Sequence, residues 1–80
     1  MKATSVTQVE NSAKLDKAFL EDLARTMAQR CALLAGMHPG DAIRTEVYWR
    51  EDKDVPPGAS LYCVSVIFPD PINLTEGEHA

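Results

Sequence analysis

A histidine followed closely by a carboxylate is the first candidate for chemistry in this chain. His38 lies three residues before Asp41 in the segment Met37-His38-Pro39-Gly40-Asp41. An imidazole that a carboxylate orients can act as a general base. The same segment follows a predicted helix, where a cationic histidine interacts favourably with the negative end of the helix dipole. We therefore expect His38 to be a loop residue, and a small enzyme built on His38 and Asp41 is the last of three alternatives.

Two cysteines are the next candidates, as a nucleophile, a metal ligand or a disulfide. Cys31 and Cys63 do not form a Cys-x-x-Cys pair, and with His38 and His79 they lack the spacing of a zinc module. Cys31 falls in an apolar helical stripe, where a thiol fills space like a small hydrophobe. We expect two free thiols, no metal site, no cofactor and no enzymatic activity.

The sequence contains only weak signals for phosphate or nucleic-acid binding. Gly36 and Gly40 follow a helix rather than leading into one, so they offer no ring of amides for a phosphate. Arg44 and Arg50 share one face of a predicted strand, but Glu46 lies between them. A nucleic-acid interface needs clustered Lys and Arg, preferably with aromatic residues for stacking. Direct nucleic-acid binding is therefore not expected.

The charge of the chain is divided unevenly between its halves. Residues 1–40 hold five Lys/Arg and four Asp/Glu, whereas residues 41–80 hold three and eight, so +1 and −5 sum to −4. A small acidic surface favours basic partners and repels nucleic acid. Acidic residues concentrate at positions 51–54, in the sequence Glu-Asp-Lys-Asp. This cluster is either a solubilising loop tip or an acidic patch for a basic groove on a partner.

Size and composition predict one small folded domain over residues 1–80. The hydrophobic fraction of 45% and the charged fraction of 25% are ordinary for a globular protein. The first residues lack the apolar run of a secretory signal, and no stretch approaches the length of a membrane span. We expect a cytoplasmic protein that does not bind a membrane.

Apolar residues recur at intervals of three and four over residues 15–36, which is typical of an amphipathic helix. Ser12 or Asp16 can cap its first turn, and Gly36 suits the left-handed residue that ends a helix. The predicted buried stripe consists of Leu20, Leu23, Ala24, Met27, Cys31, Leu34 and Ala35.

Two alternating segments, residues 43–50 and 61–68, predict the strands of a hairpin. Residues 51–60 join them as an acidic loop that contains Pro and Gly. The second strand is apolar on both faces and is the predicted central strand. Residues 3–10 are rich in β-branched types and predict a short edge strand, either regular or bulged. The expected fold is α+β in the order β-α-β-β, one helix on a small antiparallel sheet, with a flexible tail over residues 75–80.

One face of the predicted sheet contains aromatic and aliphatic side chains that a solvated surface does not need. If the helix covers the face that holds Ile43, Val47 and Trp49, the other face presents Tyr, Arg and aliphatic side chains, a composition typical of protein interfaces. That face holds Arg44, Glu46, Tyr48 and Arg50 beside Leu61, Cys63, Ser65 and Ile67. Its occupant is a partner protein, a second copy of the chain, or a cover formed by Ile72 and Leu74.

These features predict a small, acidic, non-enzymatic protein-binding module. In general character alone it resembles phage or mobile-element inhibitors, anti-CRISPR proteins among them, which block a larger nucleic-acid-handling complex. The resemblance implies that the partner is a larger basic protein or nucleoprotein complex whose basic surface is occluded. The residues expected to bind it are Arg44, Glu46, Tyr48, Arg50, Glu51, Asp52, Asp54, Leu61 and Ile67. The alternative is a homodimeric structural or assembly subunit.

Overall fold

Three strands and one long helix make up the described part of the chain. The computed structural model describes residues 1–70, so the predicted tail, Ile72 and Leu74 lie outside the described residues. The elements are β1 (Lys2–Glu10), α1 (Lys17–Ala35), β2 (Arg44–Arg50) and β3 (Ala59–Ile67). Single 3-10 turns at Asn11–Leu15 and Pro39–Asp41 flank the helix. The predicted α+β fold, with one helix on an antiparallel sheet, is confirmed.

The sheet has the strand order β1-β3-β2, so β3 is the central strand, as its apolar sequence predicts. β3 is antiparallel to both neighbours, and its Cys63 lies between Val6 of β1 and Tyr48 of β2. The predicted edge strand is present as β1, and its pairing is continuous from Lys2 to Glu10, so the strand is regular rather than bulged. Val9 enters the core and Val6 lies on the opposite face, because neighbouring side chains of a strand alternate.

Both ends of α1 are formed by residues that the sequence singles out. The Asp16 carboxylate accepts a hydrogen bond from the Phe19 amide at 3.0 Å, which satisfies one free donor of the first turn. Gly36 ends the helix with a φ of 68°, a left-handed conformation that glycine adopts without steric strain. The Met37 amide then donates to the carbonyl of Ala32 and turns the chain towards β2.

The core lies between α1 and the central and first strands. Helix residues Met27, Cys31 and Ala32 pack on the inward side chains of β1 and β3 and on Phe68. The buried set is Val9, Met27, Cys31, Ala32, Tyr62, Val64, Val66 and Phe68. A single core of this size is what a domain with one helix can build.

The expectation that α1 covers the inner face of β2 is wrong. Ile43 is 67% exposed, Val47 48% and Trp49 37%. The helix packs on β1 and β3 instead. A helix is about 10 Å across and strands lie about 4.8 Å apart, so one helix covers two strands of a three-stranded sheet. β2 is the strand left without a cover from the described residues.

Leu34 also departs from the predicted stripe, since it is 76% exposed. The last turns of α1 approach the sheet through Ala28, Ala32 and Ala35, which lie in or against the core. Alanine allows a closer approach of helix and sheet than leucine does. The helix is therefore rotated towards its alanine side, and this rotation turns Leu34 outwards.

Candidate protein-binding surface

The face of the sheet opposite α1, here called the far face, gathers six of the predicted binding residues. Arg44, Glu46, Tyr48 and Arg50 alternate along β2 and share this face. Arg44 pairs with Ile67 of β3, and Arg50 pairs with Leu61. The structure thus places these six residues on one continuous surface. Leu61 and Ile67 are half-buried, and both arginines are exposed.

Two residues expected to be exposed on the far face are buried. Cys63 and Ser65 have no accessible surface. Both lie on the central strand, where side chains from β1 and β2 flank them on either side. The far face is therefore polar and aromatic at its edges rather than aliphatic at its centre.

Ser65 joins the two outer strands across the far face. Its hydroxyl lies 2.9 Å from Thr4 Oγ1 on β1 and 3.4 Å from the Tyr48 hydroxyl on β2. These contacts satisfy a buried hydroxyl, which would otherwise be costly, and they hold the Tyr48 ring over the sheet. Thr4 was not among the predicted residues, although the alternation of residues 2–8 places it on this face.

The charge of the far face is more positive than the sequence suggests. The Glu46 carboxylate lies 3.8 Å from Lys2 Nζ and 3.5 Å from Arg44 Nη2. Arg50 makes no ion pair with another described residue. The far face therefore carries three cationic groups, Lys2, Arg44 and Arg50, and two carboxylates, Glu46 and Glu10 at the end of β1. Lys2 comes from β1, and only the register of β1 on β3 brings it here. Most of the negative charge of this region therefore lies in the loop after β2.

On the inner face of β2, the Trp49 side chain is 37% exposed and its ring contacts two residues. Its ring centroid lies 4.7 Å from that of Tyr62, and Lys14 Nζ lies 4.6 Å from the centre of the indole. A cation above an aromatic face is attracted by the quadrupole of the ring. Lys14 comes from the turn after β1, and sequence spacing offers no signal for this contact.

The acidic loop comprises residues 51–58 and is an ordered turn. It is two residues shorter than predicted, because β3 begins at Ala59 rather than at residue 61. The Asp54 amide donates to Asp52 Oδ1 at 3.0 Å, and the Val55 amide donates to the Asp52 carbonyl at the same distance. At the far end of the loop the Asn11 amide donates to the Gly58 carbonyl at 2.8 Å. The carboxylates are therefore presented from a loop that is tied to the turn after β1. A cleft of about 440 Å³ lies against this loop, lined by Asn11, Lys14, Glu51, Asp52, Lys53, Val55, Pro56, Pro57, Gly58, Ala59 and Ser60.

Glu51 and Asp54 make no ion pair with another residue of the described range 1–70. Only Asp52 of the three acidic residues uses its carboxylate within the loop, as the acceptor for the Asp54 amide. Two carboxylates are consequently available to a basic partner.

His38 is bound to the backbone of its own turn. Its Nδ1 atom accepts a hydrogen bond from the Gly40 amide at 3.0 Å, and the Asp41 amide donates to the His38 carbonyl at 2.9 Å. Within residues 1–70 no hydrogen bond joins the side chains of His38 and Asp41, and no group of three His, Cys, Asp or Glu is placed to hold a metal ion. The ring acts here as a helix cap for the second 3-10 turn.

The two cysteines are free and buried on opposite faces of β3. Cys31 reaches the sheet from α1, and its thiol donates to the Val64 carbonyl at a sulfur to oxygen distance of 3.6 Å. Burial raises the pKa of the Cys31 thiol, and a hydrogen bond from the Ser5 backbone opposes this rise. Cys63 lies under Val6 and Tyr48 on the far face.

Comparison with known proteins identifies no relative. The chain matches no protein-family model, no curated protein and no solved structure. Over the described residues, no helix has the length and apolar character needed to cross a membrane. The surface around β2 is therefore the main structural indication of function.

Proposed function

We propose that this protein is a non-enzymatic protein-binding module that contacts its partner through β2 and the acidic loop. The supporting observation is the exposure of β2, because every residue of Arg44–Arg50 except Glu46 is exposed. Tyr48 and Trp49 lie on opposite faces of this strand. Trp, Tyr and Arg are enriched at the centres of protein interfaces, and exposed apolar patches on small domains mark interaction sites.

The charges of the acidic loop favour a basic protein as the partner. Glu51 and Asp54 extend from an ordered loop and are not neutralised by another described residue. Charges at the rim of an interface speed association and orient the partner. The loop supplies the electrostatic attraction to Lys and Arg, while the arginines and Tyr48 of the far face supply hydrogen bonds and contact area.

The partner is accordingly a larger basic protein or the basic surface of a nucleoprotein complex, which the module occludes. Small phage or mobile-element inhibitors of the anti-CRISPR kind act in this way, and we place the protein in that class by analogy of size, charge and fold class.

A capture experiment with charge-matched variants tests the proposal. The chain is immobilised and exposed to a nuclease-treated bacterial lysate, so that bound nucleic acid cannot carry the contact. The loop variant carries Glu51→Ser, Asp52→Ser and Asp54→Ser. The control variant carries Glu21→Ser, Asp22→Ser and Asp41→Ser, which removes the same charge from exposed positions outside the far face and the acidic loop.

We expect the native chain and the control variant to retain the same basic partner, and the loop variant to lose it. Binding of the native chain should weaken as salt is raised, because exposed charges are screened within about 8–10 Å at physiological salt. Equal capture by the loop variant and the native chain would show that the acidic loop does not bind the partner.

A further inference from the structure

We infer that β2 is also a self-association edge, at which two copies of the chain pair antiparallel about Tyr48 and form one six-stranded sheet. This inference does not depend on the proposed function. β2 forms a ladder only with β3, so among residues 1–70 its other edge has no strand partner. The strand has seven residues without Pro or Gly, whereas exposed edges are usually shortened, bulged or interrupted by Pro.

The positions of the charges select one register. In a continuous sheet, two residues that oppose each other on neighbouring strands point to the same face. In a symmetric dimer the two-fold axis must therefore lie between one residue of β2 and the same residue of the second copy. Three positions of the axis pair at least five residues of each β2 strand. An axis at Glu46 pairs residues 44–48, an axis at Val47 pairs residues 44–50, and an axis at Tyr48 pairs residues 46–50.

Two of these axes bring like charges together. An axis at Glu46 places this carboxylate opposite its own copy, and an axis at Val47 places Arg44 opposite Arg50 of the second copy. Like charges directly opposite each other destabilise a sheet. An axis at Tyr48 instead places Glu46 opposite Arg50 of the second copy, and symmetry makes this pair twice.

The same axis brings uncovered apolar side chains together on the inner face. Val47 of one copy then opposes Trp49 of the other, and this pair also occurs twice. Aromatic and β-branched residues are favourable cross-strand partners. Because α1 of each copy lies over β1 and β3, the two helices would flank this strip without blocking it. The far face stays open, so the dimer would display it twice.

The other edge of the sheet, β1, is less suited to pairing with a second copy. An axis at Val6 of β1 would place Lys2 opposite Glu10 of the second copy. The inner side chains of β1, such as Ser5 and Val9, are however already buried under α1. Pairing through β1 would leave Val47 and Trp49 exposed. The second copy therefore fits β2.

A charge exchange tests the register with the full chain. Arg50→Glu should raise the dissociation constant for self-association about tenfold in sedimentation equilibrium, because two favourable pairs become repulsive. Arg30→Glu makes the same charge change on an exposed helix position and should leave the constant within about twofold. Combining Glu46→Arg with Arg50→Glu should restore it to within about threefold of the native value. Circular dichroism verifies that each variant is folded.

A cross-link distinguishes the two edges. Tyr48→Cys and Val6→Cys occupy equivalent far-face positions on β2 and β1, and both are made with Cys63→Ala because Cys63 pairs with each of them. Opposed Cβ atoms in an antiparallel pair are close enough for a disulfide. We expect oxidation to link copies through position 48 and not through position 6.

Three results would overturn the inference. The first is a native chain that is monomeric at every concentration, which would leave β2 to a different protein. The second is cross-linking through position 6 in place of position 48, which would assign the interface to β1. The third is a double exchange that stays as weak as Arg50→Glu, which would exclude the register about Tyr48.

Discussion

The indole of Trp49 and the phenol of Tyr62 lie 4.7 Å apart, with their ring planes inclined by 58°. The two residues oppose each other on β2 and β3, so the register of these two strands brings the rings into contact. One ring is buried and the other is partly open to solvent. The pair therefore lies where the buried core ends and the exposed inner face of β2, with Val47 and Trp49, begins.

Removal of the Tyr62 ring should destabilise the fold. Tyr62→Ala is expected to cost about 3–5 kcal/mol of unfolding free energy, since it leaves a cavity under α1. Tyr62→Phe should cost about 1 kcal/mol or less, because only a long hydrogen bond to the Leu20 carbonyl, 3.5 Å, is lost. Urea unfolding followed by the fluorescence of Trp49 measures both. Equal losses would show that the hydroxyl, and not the ring, carries the contribution of Tyr62.

The rotation of α1 towards its alanine side can be tested at two positions of its last turn. Ala32→Leu should destabilise the protein by about 1–3 kcal/mol, because a larger side chain cannot fit between α1 and its neighbours. Leu34→Ala should change the unfolding free energy by less than about 0.5 kcal/mol. Thermal unfolding of the two variants gives the comparison. A large loss at Leu34 would contradict the observed rotation.

Gly36 should be replaceable only by residues that tolerate a left-handed backbone. Gly36→Ala is expected to cost about 1 kcal/mol, since its φ of 68° is strained for a residue with a Cβ atom. Gly36→Asn should cost less, because asparagine also ends helices in this conformation. Chemical denaturation measures both. The space around a Cβ at this position is open, so a steric clash cannot account for the difference.

The thiols of Cys31 and Cys63 should resist alkylation in the folded protein. Both are buried, and reaction requires an opening that costs a few kcal/mol, which slows modification roughly 100-fold or more relative to a free thiol. Mass spectrometry after iodoacetamide treatment, with and without urea, measures this protection. Rapid labelling of either cysteine without urea would show that its face of the sheet opens.

The pKa of Cys31 also predicts a direction for stability at alkaline pH. Burial raises this pKa, so the folded state keeps the thiol proton when the unfolded chain has lost it. The contribution to stability is complete below the ordinary thiol pKa of about 8.5 and is lost as the pH rises towards the folded value. Cys31→Ala should reduce this alkaline decline in urea midpoints. An unchanged slope would assign the decline to other groups.

Asp70 should titrate below an ordinary aspartate. Its carboxylate accepts a hydrogen bond from the N-terminal ammonium at 2.8 Å, and this bond and the positive charge lower its pKa. The pair therefore contributes above the ordinary aspartate pKa, and its contribution is lost as the pH falls through the lowered value. NMR titration of Asp70 before and after N-terminal acetylation measures the shift. A midpoint that acetylation does not move would exclude this contact in solution.

Local chemistry was sufficient to predict the elements and the two ends of α1. The spacing of apolar residues predicted the helix, Asp16 and Gly36 predicted its termini, and an apolar strand predicted that β3 is central. Each of these features depends on neighbours within a few residues. The shared face of Arg44, Glu46, Tyr48 and Arg50 followed from the alternation of a strand in the same way.

Contacts between distant residues were not predictable from spacing. Lys2 and Lys14 reach β2 only through the pairing of β1 with β3, and the exposure of Leu34 depends on the rotation of α1 about its axis. The width of one helix decided that α1 does not cover β2, because two strands suffice to bury its apolar side. The sequence alone determined which residues form each element and each face. The tertiary structure decided which of those faces is buried, since the burial of a face depends on how every other element packs against it.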